Sequence, residues 1–180
     1  MFQFLRGRRI ERTGYELYGA AVTAARAPGF YTDLGVPDTL DGRFDLVGLH
    51  VFLAIRRLRA VPPPGEALAQ AVFDAMFNDM DVNLREIGVG DMSVGKKVKQ
   101  MWEAFHGRAA AYQAALENRQ DPAALEAALV RNVWRGTAPE GQPAVLAGIA
   151  RAQDKHLATQ SVLDFASGRI GFLPFAEARA

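Results

Sequence analysis

The 180-residue chain contains no cysteine and only three histidines. Without thiols it forms no disulfide, runs no thiolate chemistry and builds none of the common structural zinc sites. It also lacks a charge excess, with 21 Lys and Arg against 20 Asp and Glu. Bulk nucleic-acid binding usually leaves a large positive surplus, so DNA is not expected as a partner. Long apolar runs are missing too. The longest uncharged stretches, 46–55 and 141–150, hold about ten residues each, against about 20 needed to span a bilayer. Catalytic motifs are absent in the same way. Gly88-Val89-Gly90-Asp91 lacks the further glycine, the lysine and the preceding strand of a phosphate loop. Ser93, Ser161 and Ser167 show no nucleophile-elbow pattern. The expectation is a protein that is not an enzyme and needs no cofactor.

What is present reads as a folded helical protein. The chain is 49% hydrophobic and 23% charged, which is an ordinary globular balance. Alanine, the best helix former, occurs 31 times. Glycine and proline fall between segments, and no stretch alternates long enough to argue a strand. Helices are predicted at about 13–27, 42–60, 65–87, 93–118, 122–135 and 143–167. The fold class is all-α, a single-domain bundle of about six helices. A basic and apolar tail precedes it at 1–12, the helical domain runs over 13–170, and a second tail follows at 171–180. The first ten residues put apolar side chains before the arginines, the reverse of a secretory signal. Glu11 and Glu16 disfavour a mitochondrial presequence. Phe2, Phe4, Leu5 and Arg6 offer at most a marginal membrane-surface contact.

Local chemistry marks the boundaries. Asp41 and Ser93 are candidate N-caps for the second and fourth segments, and Asp121-Pro122 is a cap followed by proline at the first helical position. Arg56, Arg57 and Arg59 suit the negative end of the second helix. That helix is apolar nearly all round from Leu46 to Ile55, so it belongs in the middle of the bundle. His50 interrupts it and reads as a core histidine bonded to a carbonyl or carboxylate, with no second histidine at helical spacing for a metal.

The third segment carries Phe73, Phe77, Met80, Leu84 and Ile87 as one apolar stripe. Next to it lies an acidic surface holding Asp74, Asp79, Asp81, Glu86 and Asp91, with Arg85 as its lone cation. The fourth segment is expected to bury Val94, Val98, Met101, Trp102, Phe105, Ala109, Tyr112 and Leu116. Its start holds three of the chain's four lysines, Lys96, Lys97 and Lys99. Positive charge there opposes the helix dipole. Either the nearby carboxylates compensate it, or the cluster attracts an acidic partner, lipid or RNA phosphate.

Particular strings resemble a known family. Gly35-Val36-Pro37-Asp38-Thr39, Gly42-Arg43-Phe44-Asp45, Leu49-His50-Val51 and Arg56-Arg57-Leu58 are similar to the front half of the ubiquinol–cytochrome c chaperones. Phe77-Asn78-Asp79-Met80-Asp81, the run from Leu84 to Lys99, and Gly107-Arg108 before Tyr112 match the second half. The resemblance covers about 13–135. It implies an assembly chaperone of the respiratory cytochrome bc1 complex that binds newly made cytochrome b, or another bc1 subunit, without catalysis. A small co-chaperone, a ribosome near the membrane and a peripheral membrane contact come with the family. The arginine-over-lysine usage fits a bacterial member acting in the cytoplasm at the inner face of the membrane; a eukaryotic member acts on the matrix side. Arg85, Asp91, Lys96, Lys97, Lys99 and Arg108 are the expected partner-binding residues. Two alternatives stay open from the residues alone: a metal-dependent helical enzyme using Asp79, Asp81, Asp91 and a histidine, and a lipid- or haem-binding carrier.

Overall fold

The computed structural model describes residues 2–118 and 120–180, with side chains from Gly7 onward. The expected contact by Phe2, Phe4, Leu5 and Arg6 lies outside the described side chains. Six long helices dominate: α1 (Phe2–Ala25), α3 (Leu40–Arg59), α4 (Gly65–Glu86), α5 (Asp91–Glu117), α6 (Ala123–Val133) and α7 (Gln142–Ala158). Three short ones complete the described residues: α2 (Gly29–Thr32), α8 (Val162–Ala166) and α9 (Phe175–Ala178). There is no strand among these residues.

Helix α3 is the axis. It is buried from Phe44 through Ile55 and packs against α1, α4, α5, α6 and α7, as its all-round apolar sequence requires. Helices α1 and α4 pair closely on one side of it, while α5, α6 and α7 follow one another round the other. Gly14 sets the α1–α4 distance: a Cβ there would come within 2.5 Å of the Ala71 Cβ and 2.7 Å of its carbonyl carbon. The chain start is helical from Phe2, not from 13. Only Gly7 weakens helix between Phe2 and Arg12, and the surrounding residues are good enough formers to carry it.

Several local expectations are corrected. Thr39, not Asp41, caps α3, its hydroxyl accepting the Gly42 N–H at 3.1 Å. Asp41 sits in the first turn instead, where its charge still suits the dipole. Helix α5 begins at Asp91 behind Gly90, so Ser93 lies inside the first turn and is not the cap. The predicted 143–167 helix is two helices. Thr159 ends α7, and Ser161 restarts the chain as an extended cap whose hydroxyl accepts the Asp164 N–H.

The closing segment docks through α7. Gln153, buried, donates from Nε2 to the Leu173 carbonyl at 2.8 Å, and its Oε1 accepts the Leu173 N–H at 2.9 Å. Gln160 makes the same paired contact with Gly171. Two side-chain amides thus stand in for a neighbouring strand; the Gln153 pair satisfies the partly buried Leu173 backbone, while the Gln160 pair lies at the surface. Phe172 and Phe175 follow, meeting the His50 and Phe30 rings edge-on.

Candidate interaction site

The acidic surface and the lysine cluster meet at the α4–α5 turn. Arg85 donates from Nε to Asp81 Oδ2 at 2.6 Å and from Nη1 to Asp91 Oδ1 at 2.5 Å. These bonds tie the end of α4 to the start of α5 across Gly88, whose φ of +85° suits glycine. Arg85 and Asp91 are therefore brought together, each as the other's partner. The hydrogen bonds from Arg85 hold the Asp81 carboxyl below the usual carboxylate range. Asp79 is occupied separately, accepting the Tyr18 hydroxyl at 2.6 Å. Burial, helped by that bond, raises the Tyr18 phenol well above its ordinary value.

None of these carboxylates neutralises a lysine. Lys96, Lys97 and Lys99 are exposed on α5, and the nearest anion to any of them is Glu103, 3.9 Å from Lys99. Such an exposed pair contributes little. The three lysines also diverge. Lys97 turns toward α1 and α3, in line with Met101, Ala104 and Arg108 at steps of four, three and four along α5. Arg108 lies three turns beyond Lys97, about 16 Å along the axis at 1.5 Å per residue. The structure thus joins Lys97 to Arg108 and leaves Lys96 and Lys99 off that line.

Arg108 has a structural partner that the sequence did not expose. Its Nη1 donates to Asp45 Oδ1, and Asp45 has no solvent-accessible side chain. Arg135 approaches the other oxygen, Nη2 to Oδ2 at 2.8 Å, as an ion pair without an aligned hydrogen bond. Arg135 follows α6 in the left-handed region, φ +54°, a conformation uncommon without glycine. Burial pushes the Asp45 carboxyl up to about 7, against the opposing pull of Arg108 and then Arg135. His50 shows the reverse case. Its Nδ1 lies 2.9 Å from the Leu46 carbonyl, and burial drives its pKa down to about 4.

These two groups act on stability with opposite signs. Folded His50 resists protonation, so the unfolded chain binds more protons between about pH 4 and 6.5. Its contribution is lost as pH falls through that window. Folded Asp45 binds more protons than the unfolded chain between about 3.8 and 7, so its contribution falls as pH rises. The two slopes offset. Unfolding free energies measured by urea titration are expected to vary little from these groups between pH 4.5 and 6.5 in the native protein. Asp45→Asn is expected to give stability rising with pH over that range, and His50→Asn stability falling. Parallel profiles for the two variants would contradict this assignment.

The expected apolar faces are only partly buried. Trp102 is 45% exposed and stacks on His106 at a centroid distance of 3.9 Å, so it is not core. Phe73 and Phe77 are half-buried beside Phe105, and Ile87 is 61% exposed. Leu68, Val72, Ala75 and Met76 supply the buried face of α4 instead, because α1 crosses there at Gly14.

Two surface grooves result. One, of about 740 Å³, lies among α3, α4, α5 and α7 beside Arg56, Arg57 and Arg59. The other, of about 430 Å³, is bounded by α1, the start of α3, the end of α4 and the Lys97–Arg108 line. Among the described residues no group of three or more His, Asp or Glu is placed to hold a metal ion. No described helix is long and apolar enough to cross a membrane.

Comparison with known proteins matches the ubiquinol–cytochrome C chaperone family over residues 32–172. The chain belongs to that family. The match runs on to Phe172, well past the 135 at which the sequence resemblance stops, and so takes in α7, α8 and the Gln160–Gly171 contact. The crystal structure of the Cbp3 homolog from Brucella abortus superposes with a TM-score of 0.84 at 34% identity, covering 98% of this chain and 99% of that one. The ubiquinol-cytochrome-c reductase complex assembly factor 1 of Xenopus laevis is 22% identical over 125 residues, 69% of this chain. This chain spans 62% of the length of that relative. The all-α, single-domain architecture is therefore shared with the Brucella abortus structure.

Proposed function

We propose that this chaperone-family protein assists assembly of the cytochrome bc1 complex by binding newly made cytochrome b, and that it makes and breaks no bond. The observation that carries the reading is the family match over 32–172, supported by the nearly full-length likeness to the Brucella abortus structure. The surface agrees in kind. Its charged groups are ion-paired or exposed, an arrangement suited to gripping a polar client surface.

Arg85, Asp91, Lys96, Lys97, Lys99 and Arg108 are the proposed contact residues, with unequal roles. Arg85 and Asp91 shape the turn that presents the lysines. Arg108 divides its role between Asp45 and the groove. The lysines are left for the client, which is the gain that offsets their unfavourable place at a helix start. A bacterial cell is the proposed setting, at the inner face of the membrane, with a small co-chaperone as a further partner.

Deleting the gene in a respiring host is expected to lower assembled bc1 complex and spare the other respiratory complexes. Unchanged bc1 levels would end the reading. Replacing Lys96, Lys97 and Lys99 together with glutamine is expected to leave circular dichroism and melting nearly unchanged, since none is buried. Co-purification of cytochrome b with the tagged variant is expected to fall severalfold. A variant that unfolds instead would make the cluster structural.

A further inference from the structure

We propose that the 430 Å³ groove between α1 and α5 seats one amphipathic α-helix of a protein partner, with a carboxylate flanking the apolar face of that helix. The proposal rests on the assembly-chaperone reading and specifies the chemistry of the client segment. Its first support is apolar surface left uncovered. Leu40 and Ile87 are 55% and 61% exposed at the mouth, above a floor that includes Val47, Met80 and Met101. Exposed aliphatic groups gathered in one groove mark an interaction site more than scattered ones do. The two methionines add a deformable lining that accepts apolar side chains of differing shape.

The walls favour a helix over an extended strand. Helices α1 and α5 each pack on α3 and α4, and their backbone groups are spent within the helices. A strand partner therefore has no free edge to join. A helix, by contrast, places side chains at three- and four-residue steps into the gaps of another helix surface. The line Lys97, Met101, Ala104, Arg108 leaves such a gap at Ala104, where the small side chain separates two long ones.

Charge selects the flank. Arg108 is engaged by Asp45, Arg135 by Asp45 and by Asp41 at 3.8 Å, Arg43 by Asp38 at 2.6 Å, and Asp79 by Tyr18. Arg26, in the turn that follows α1, and Lys97 on α5 have no carboxylate at ion-pair distance among the described residues. Two cations without anions thus stand on opposite sides of the groove, one at the end of α1 and one on α5. The larger groove differs in this respect. There Arg56 meets Asp154 and Glu117, Arg59 meets Glu66, and Arg57 donates to the Gln160 carbonyl.

The test uses the full chain and fluorescence anisotropy with three labelled 18-residue synthetic peptides. One is an amphipathic helix with a leucine face and glutamate flanks; the second has lysine for glutamate; the third scrambles the first. The acidic helix is expected to bind at least tenfold tighter than either other peptide. Lys97→Glu and Arg26→Glu are each expected to weaken it severalfold. Leu40→Asp is expected to abolish binding while leaving melting intact, because the side chain is exposed and a carboxylate suits the first turn of α3. Equal binding of acidic and basic helices would overturn the proposal. So would acidic-peptide binding unaffected by Leu40→Asp, or binding only to vesicles of anionic phospholipid. In the deletion host, failure of Leu40→Asp to restore bc1 levels supports the groove. Full restoration by that variant sinks the groove proposal and leaves the chaperone reading standing. If deletion itself spares bc1, the chaperone reading fails, and the peptide affinities alone decide the groove.

Discussion

Arg108→Ala is expected to be the most destabilising single change at the charged surface, by about 3 kcal/mol near pH 8. Asp45 has no solvent to fall back on, and without Arg108 it keeps only the misaligned approach of Arg135, whose own side chain is half-exposed. A buried charge stripped of its hydrogen-bonding partner carries most of its desolvation penalty unpaired. For a chain of this length the loss corresponds to a fall in Tm of about 6–12 °C. The cost has a pH signature. Asp45 already titrates near 7 with both arginines present, and removing Arg108 raises its pKa further. At pH 5 the carboxyl is protonated and neutral, so the same variant is expected to lose much less. Asp45→Asn combined with Arg108→Ala is expected to recover part of the loss at pH 8. Thermal melts of the single and double variants at pH 5 and 8 provide the check. Equal loss at both pH values would show that packing of the arginine stem, and not the buried charge, sets the cost.

Gly14→Val is expected to lower stability by about 3 kcal/mol, comparable to the largest overpacking effects. The first atom added would overlap the Ala71 Cβ and approach its backbone carbon at 2.7 Å. Backbone is not able to swing aside as a flexible side chain does, so α1 and α4 must separate along their contact. Leu17, Tyr18, Val72 and Ala75, buried in the same cluster, would then lose contacts on one side. Replacing Gly7 with valine on the same helix provides the control, since among the described residues no other element comes within 4 Å of a Cβ there. That variant is expected to change stability by a fraction of a kcal/mol, the difference in helix propensity alone. Urea unfolding of both variants checks the contrast. A similar loss at the two positions would remove close helix packing as the explanation.

The groove variants and the lysine triple are predicted to behave differently from these two. They change exposed groups, so the expected losses are in partner capture and not in folding. Arg108 is the residue where the two roles overlap. It lines the groove through one part of its side chain and anchors Asp45 through its guanidinium, so its replacement alone cannot separate binding from stability. Lys97 and Leu40 are the cleaner probes.

How far the sequence reached is clearest in particular residues. The central place of α3 was legible because its side chains are apolar in every direction, and only a fully surrounded helix satisfies that. His50 was legible for a related reason: one polar ring among them had to bond a carbonyl or a carboxylate, and the Leu46 carbonyl is the partner it finds. The family could be recognised from short strings in α3, α4 and α5, and the match extends to Phe172. Trp102 was misplaced because a residue at core spacing counts as core only if another helix covers it. Trp102 stays 45% exposed, stacked on His106 of its own helix. Gly14 went unnoticed because a glycine inside a helix signals close approach only when its neighbour is known.

By itself the amino-acid order determined the helical class, the approximate extents of α3 to α6, the buried axis and the kinship, since these depend on period, propensity and local strings. The tertiary structure alone decided which charges meet. The Asp81–Arg85 pair is the exception, an i,i+4 neighbour on one helix that the sequence spacing already gives; beyond it, Asp45 finds Arg108 and Arg135, Arg85 also reaches Asp91 across the α4–α5 turn, and Lys97 is left over on a groove wall. Burial and pairing are properties of positions in space, reached by chain segments far apart in sequence. Opposite charges only a few residues apart do not reveal which of them will be in water.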